Sequence, residues 1–453
     1  MTAALGRLLR RGVDVREHET GALLWSCAFF FCVLSSYYVI RPVRDEMGVA
    51  AGVEHLAWLF TATLVGMLLI HPVFTALVAR IPRRRFVPLI YRIFIVKLVV
   101  FFLVLRMAEA GQAIWIGRIF FVWTSVFNLF VVSVFWSFVA DIYRPAQGAR
   151  LFGMIAVGGT LGAILGSTIT SGLVHVLGPV SLLLVSALLL ESAARAAGAL
   201  EHQADRLAQE ARDEADRRGA PARAVEPEVI GGGVSDGVRR VVRSPYLLAI
   251  AAFMLLFTIA STFLYFQQAS IVARAFEGDP QGRTRLFAGI DLAVNVLTLV
   301  TQLFVTGRIL RWLGVGLTLA FLPLVSLVGF GILGTAPVLS VLVAFQVLRR
   351  AGNFAIQRPA REVLYTVLSR TDKYKAKNFN DTFVYRAGDQ LGAWAYTTIA
   401  WLGLSLSGLA FTMVPVSAVW LLLALWLGRR YRGLHEATRA PAPAGVAREP
   451  DLA

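Results

Sequence analysis

Lysine, cysteine and charge in general are scarce in this chain of 453 residues. Charged residues make up 16% and hydrophobic ones 57%. The two cysteines, Cys27 and Cys32, stand five apart in one apolar run, so on a helix they point in different directions. Two cysteines make no zinc framework, and this spacing argues against a disulfide. None of the six histidines belongs to a His-Glu-x-x-His pair, and no Gly-x-x-x-x-Gly-Lys-Ser/Thr loop occurs. A zinc protease and an ATP-hydrolysing pump are thereby excluded. No nucleophile–base constellation stands out either, so no enzymatic activity, metal or cofactor is expected. A cleavable signal peptide is not expected. Residues 1–20 are polar and include Arg7, Arg10, Arg11 and Arg16, and the following run lacks a small-residue cleavage site.

What the chain does have is long apolar runs. A soluble domain could not hide this much apolar surface, whereas lipid solvates the outside of membrane helices. Runs of roughly twenty residues, enough to cross ~30 Å of hydrocarbon, fall at 23–44, 57–79, 87–106, 114–138, 151–174 and 176–194. Six more fall at 246–270, 286–306, 313–333, 337–356, 381–402 and 408–428. The expected fold is an all-α integral membrane protein with about twelve transmembrane helices in two six-helix, pseudo-symmetric bundles. The bundles are 1–194 and 246–428, with a linker at 195–245 and a tail at 429–453. The linker opens with helical charge spacing (Asp205, Arg206, Glu210, Arg212). Pro221, Pro227 and the glycines at 231–233 then break it.

The formal net charge is +16, and only four of the 44 basic residues are lysines. A nucleic-acid partner is not expected, because the basic clusters punctuate the apolar runs instead of lining one soluble face. The clusters set orientation. With the N-terminus inside, the inner segments hold Arg80, Arg83–Arg85, Arg144, Arg150, Arg308, Arg311, the run from Arg358 to Lys377 and the tail from Arg429. The outer segments hold far fewer. Both termini and the linker are therefore expected in the cytoplasm, and the location is a bacterial cytoplasmic (inner) membrane.

The halves echo each other. ALVARIPRRRFVPL (76–89) follows the second span and VTGRILRWLGVGLTL (305–319) follows the eighth. DIYRPAQGARLFG (141–153) follows the fourth and SRTDKYKAKNFND (369–381) the tenth. Weak symmetry of this kind marks repeat-built transporters. Six plus six spans with a basic turn after spans 2 and 8 resembles the major facilitator superfamily. Arg80 and Arg83–Arg85 fit that family's basic loop loosely, without its glycine and aspartate. A narrower resemblance is to the nucleotide (ATP/ADP) exchange transporters of plastids and intracellular bacteria and their free-living relatives. It rests on YYVIRPVRDEMG (37–48) and on RPAREVLYTVLSRTDKYKAKNFNDTFVYRAGDQLGAW (358–394), with FWSFVADI (135–142) weaker. This resemblance implies that Arg44 stands for a lysine of span 1. The expected acid is absent around Phe120–Asn128, Gln267 and Gln268 replace a glutamate of span 7, and Asp389 stands where a lysine is expected.

Polar residues inside the spans are the candidate site, because an intramembrane charge faces a cavity, finds a partner or reaches an interface. Arg41, Arg44 and Asp45 share a face of span 1 and form either an interfacial cluster or an anion site. Arg386 and Asp389 are three apart in span 11, where they neutralise each other or serve substrate and proton. Asp291 and Asn295 share a face of span 8. Lys97 lies midway in span 3, where a buried partner is expected, and Asn128 in span 4 is a further buried polar candidate. Arg349 and Arg350 are read as interfacial, and Gly158, Gly162 and Gly166 as a packing stripe. The assignment is then Arg41, Arg44, Gln267, Gln268 and Arg386 to substrate, and Asp45, Asp291 and Asp389 to proton or ion coupling. Arg80, Arg84, Arg361 and Glu362 are assigned to gating, the last two as an ion pair. The expected function is secondary transport, by a monomer, of a small organic anion such as a nucleotide or phosphorylated metabolite. A membrane-embedded sensor or assembly factor is the alternative.

Overall fold

The computed structural model describes residues 15–16, 19–80, 83–143, 145–217, 239 and 241–439, and every regular element among them is helical. In chain order the helices are α1 (Thr20–Ala50), α2 (Leu56–Arg80), α3 (Arg83–Met107), α4 (Ala110–Ile142) and α5 (Pro145–Arg217). After the linker come α6 (Pro245–Ala275), α7 (Pro280–Phe304), α8 (Thr306–Thr335) and α9 (Leu339–Gly352). The last four are α10 (Arg358–Leu364), α11 (Arg370–Phe379), α12 (Tyr385–Trp401) and α13 (Leu406–Arg439). Ten stretches among the described residues are long and apolar enough to cross a membrane. One of them, 150–206, is two limbs meeting at Gly178, whose φ of 76° breaks the helix just before Pro179. With these limbs taken separately and α12 added, the twelve expected spans are all helical. The second limb runs on through the start of the linker to Arg217, burying Ala197 and Leu200.

The chain forms two compact units, Met1–Ala51 with Ala62–Pro227 and Gly278–Leu292, and Gly52–Thr61 with Glu228–Glu277 and Ala293–Ala453. In the first unit α1 packs along α5 on the glycine stripe. A Cβ at Gly158 would lie 2.8 Å from the Cys27 carbonyl oxygen, and one at Gly162 would collide with Phe31. The close approach lets Ser35 donate to the Gly162 carbonyl at 3.0 Å and Thr170 to the Val39 carbonyl at 3.0 Å. Beneath them Phe29 packs edge-on against Tyr91, Phe135 and Phe138. In the second unit Gly388 and Gly392 bring α12 against Thr258 and Ile259 of α6. Residues 52–61 join this unit because Thr61 donates to Gln390 at 3.0 Å and Trp58 meets Trp394 edge-on. Large apolar side chains such as Trp115, Leu188, Trp312 and Trp401 stay exposed, as lipid-facing residues do.

Candidate functional site

In the first unit, α1 carries the charged motif past Pro42, and the start of α7 meets it. Arg41 Nη1 lies 3.3 Å from Asp291 Oδ1, and Arg283 Nη2 donates to Glu46 Oε1 at 2.8 Å. Arg44 donates to Asp45 at 3.0 Å while its guanidinium covers the Phe121 ring at 4.1 Å. Asp45, Glu46, Arg283 and Asp291 are all buried. Nearby, Arg285 and Gln281 both reach the ring nitrogens of His175. Each sequence-predicted charge of this cluster is thus matched, and Arg41 takes its ion pair from α7.

In the second unit a polar belt crosses α6, α9 and α12. Gln267 is buried and donates to the Leu406 carbonyl at 2.9 Å, and Gln268 accepts from Gln346 at 2.6 Å. Arg349, expected at an interface, is instead buried at 3% exposure. Its Nε donates to Ser326 at 3.1 Å, and its Nη2 donates to Ser261 at 3.0 Å and to the Phe257 carbonyl at 3.2 Å. All of these acceptors are neutral. Arg386 and Asp389 pair at 3.4 Å, and Thr262 approaches Asp389 at 3.5 Å. Phe257 has the Arg349 guanidinium over its ring at 5.5 Å and the Tyr385 ring 6.3 Å away, and the Arg386 guanidinium lies 5.8 Å from the Tyr385 ring. Both ends of this segment are interrupted by wide π-turns, Asn353–Gln357 and Asn380–Val384. Such turns widen the helix locally and are frequent where a helix carries function. Gln357, in the first of them, is 1% exposed, and neither polar atom of its amide has a partner among the described residues. Arg358, which follows that turn, is exposed and lies over the Phe354 ring at 5.9 Å.

Several expectations change. Lys97 is exposed beside Val96 and Val100 and has no buried partner among the described residues, because α3 buries its Tyr91 and Leu98 face instead. Its long stem can carry the amine along that surface. Asn128 is half-buried, and Asn295 is buried. Arg361 and Glu362 do not pair with each other. Arg361 turns inward to the Met254 sulfur and to Asp381 at 3.7 Å, whereas Glu362 takes Lys377 at 2.6 Å. Being consecutive on α10, they point in different directions. The side chains of Arg80 and Arg84 lie outside the described residues. No group of three His, Cys, Asp or Glu among the described residues could hold a metal.

Sequence reasoning passed over Arg283–Glu46, Gln346, Gln357, Tyr385 and the burial of Arg349. A signal existed for part of this. Gln346, Arg349, Arg350, Asn353 and Gln357 recur at three- and four-residue spacing through an apolar run, as one polar helix face would.

The sequence profile described as the Major Facilitator Superfamily matches residues 23–357. Among solved structures, a bacterial homologue of the iron transporter ferroportin in its inward-facing state aligns with a TM-score of 0.60 at 13% identity, over 91% of this chain and 98% of that one. A bacterial homologue of the human lysosomal transporter Spinster, inward-facing and unoccupied, aligns with a TM-score of 0.54 at 13% identity, over 95% and 100%. The nucleoside transporter NupG aligns with a TM-score of 0.53 at 12% identity, over 93% and 100%. No curated protein sequence matches the chain.

Proposed function

We propose that this chain, which belongs to the Major Facilitator Superfamily, carries a small organic anion across a bacterial cytoplasmic membrane. The superfamily fold is that of a secondary transporter, and the mode of action in this reading is alternating access. The observation that carries the choice of an anion is the polar belt of the second unit. Arg349 is a buried arginine whose hydrogen-bond partners among the described residues are all neutral, which leaves a cation in the belt without a counter-charge. Phosphorylated metabolites and nucleotides head the candidates, because the stretch 358–394, which resembles the nucleotide exchangers, runs through this region. The Arg41–Asp291 and Glu46–Arg283 pairs join segments from either side of the linker. They hold those segments together, and Asp389 is the proton-coupling candidate. The chain works as a monomer with both termini in the cytoplasm and performs no chemistry on its cargo. The rival, a membrane-embedded sensor or assembly factor, is favoured by the matched charges of the first unit and disfavoured by the unmatched one of the second.

Uptake and counterflow of a labelled metabolite panel in vesicles containing the full chain test the reading. The panel includes nucleotides, dicarboxylates and neutral nucleosides. Saturable uptake of an anion supports it. Uptake confined to neutral or cationic compounds removes the anion, and no uptake of any member favours the rival.

A further inference from the structure

The anion site that sequence reasoning points to is the Arg41–Arg44 face of α1, but both of those cations are already matched by carboxylates. Arg349 differs in three ways. It is 3% exposed, so little water reaches its charge. An intramembrane cation without a counter-ion costs several kcal/mol and is retained where it serves a function. Its hydrogen bonds also use one side only. Nε and Nη2 are fixed by Ser326, Ser261 and the Phe257 carbonyl, while Nη1, with two N–H groups, has no acceptor among the described residues. Three neutral bonds therefore hold the fork in place without quenching its charge.

The surroundings match. Tyr385 packs its ring 6.3 Å from that of Phe257, over which the Arg349 guanidinium lies at 5.5 Å, is only half-buried, and its hydroxyl makes no hydrogen bond among the described residues. One residue on, Arg386 is 36% exposed at its side chain, and its guanidinium lies 5.8 Å from the Tyr385 ring. Two turns further along its own chain from Arg349, Gln357 has a buried amide with no partner among the described residues. A buried amide left unbonded costs roughly 1–3 kcal/mol, and a polar ligand would remove that cost.

We infer that Arg349, with Tyr385 and Arg386, forms the subsite that takes the oxyanion group, carboxylate or phosphate, of the transported solute. Nη1 of Arg349 supplies the charge-assisted hydrogen bonds and Tyr385 a hydroxyl donor. Arg386 draws the anion in by competing with Asp389 for it. This assignment rests on the organic-anion reading, and it moves the anion contact from α1 to α9 and α12.

The test uses the full chain in vesicles, with AMP as the phosphate probe, succinate as the carboxylate probe and adenosine as the neutral control. For whichever anion the wild-type protein takes up, Arg349→Met should weaken binding at least about 30-fold, and Arg349→Lys should recover part of it. Arg44→Met should leave the affinity nearly unchanged. AMP and succinate responding separately identify which oxyanion the subsite serves. If anion affinity in Arg349→Met stays within about twofold of wild type, the subsite is wrong while the anion reading stands. If the wild type takes up adenosine but neither anion, both fall. Should Arg349→Met fail to assemble, wild-type protein is treated with the arginine reagent phenylglyoxal and the modified residues are read by mass spectrometry. Protection of Arg349 by the transported anion and not by adenosine supports the subsite. Equal labelling with and without the anion overturns it.

Discussion

Arg41, Arg44 and Arg283 of α1 and α7 and Arg349 of α9 are held in opposite styles. In the first unit Arg41, Arg44 and Arg283 each lie beside a carboxylate, at 3.3, 3.0 and 2.8 Å. In the second unit Arg349 is as deeply buried as any of them and, among the described residues, bonds to two hydroxyls and one carbonyl and lies over the Phe257 ring, with no carboxylate. A matched charge is a component of the fold, expensive to separate and indifferent to solutes. An unmatched one is a standing attraction for an anion. Family membership says that something is transported, and this contrast says which unit to search for its contact.

The contrast is broken most forcefully by taking one partner from a matched pair. Arg283→Met leaves the Glu46 carboxylate buried without the cation that it accepts from. Such a loss costs about 3–5 kcal/mol. The expected result is a large fall in the thermal stability of the purified protein, with Arg283→Met combined with Glu46→Leu recovering much of it. If the double variant is no better than the single one, the pair does not carry the stability assigned to it.

A smaller effect is expected at the other end of α1. Glu19 is fully buried and accepts from Arg150 at 2.9 Å, from Gln147 at 2.9 Å and from the Arg16 backbone at 3.1 Å. Burial pushes its carboxyl upward, but these bonds outweigh it and hold it below the ordinary carboxylate value. A depressed value stabilises the fold above the unfolded-state pKa, and that contribution is lost as pH falls through the folded-state value. Glu19→Gln should therefore cost about 2 kcal/mol at neutral pH, and the gap to wild type should narrow on acidification below about pH 4. Thermal unfolding in detergent across that range measures it. A gap independent of pH would mean that packing, not charge, sets the cost.

Smaller again is the Arg386–Asp389 pair. Arg386 is 36% exposed, so the pair is partly screened, and a coupling of about 0.5–1 kcal/mol is expected. Asp389→Asn should therefore barely move stability but should damage pH-driven uptake more than solute binding. If the pair only neutralises itself, replacing both residues is tolerated better than replacing either one. A double-mutant cycle with binding and uptake scored separately distinguishes the two.

The sequence disclosed the spans because hydrocarbon thickness writes itself into run length, and every expected span is helical. It disclosed the glycine stripe at 158, 162 and 166 because only small residues permit the backbone contact seen with α1. It named Arg41, Asp291, Arg386 and Asp389 but could not say which charge meets which. Helical spacing reports neighbours on one helix, while Asp291 comes to Arg41 from a segment 250 positions away. Lys97 and Arg349 were misplaced for the same reason. Each is a cation in an apolar run, and only the neighbouring helices decide that Lys97 faces outward beside Val96 and Arg349 inward onto α6. Gln357 shared the polar spacing of Gln346, Arg349 and Asn353, but nothing in that spacing reported the π-turn in which it sits.

The smallest expected effect on stability is the one that sharpens the contrast most. Arg349→Met removes a buried cation that has no carboxylate to strand, and methionine fills a similar unbranched volume. The groups left behind are mild. Ser261 already donates to the Phe257 carbonyl at 2.8 Å, which keeps that carbonyl satisfied, and the Ser261 and Ser326 hydroxyl oxygens each lose one donor. The relief of charge desolvation opposes the loss of three neutral hydrogen bonds, so the net change should lie within about 1 kcal/mol of zero, of either sign. Arg283→Met, the same substitution at a matched site, should cost several times more. Thermal unfolding of the two variants side by side, without solute, reads the difference directly. Added anion should then raise the stability of wild type and leave Arg349→Met unmoved, since a ligand stabilises only the protein that binds it. Equal destabilisation by the two substitutions would show that Arg349 is as structural as Arg283, and the distinction between the two units would be lost.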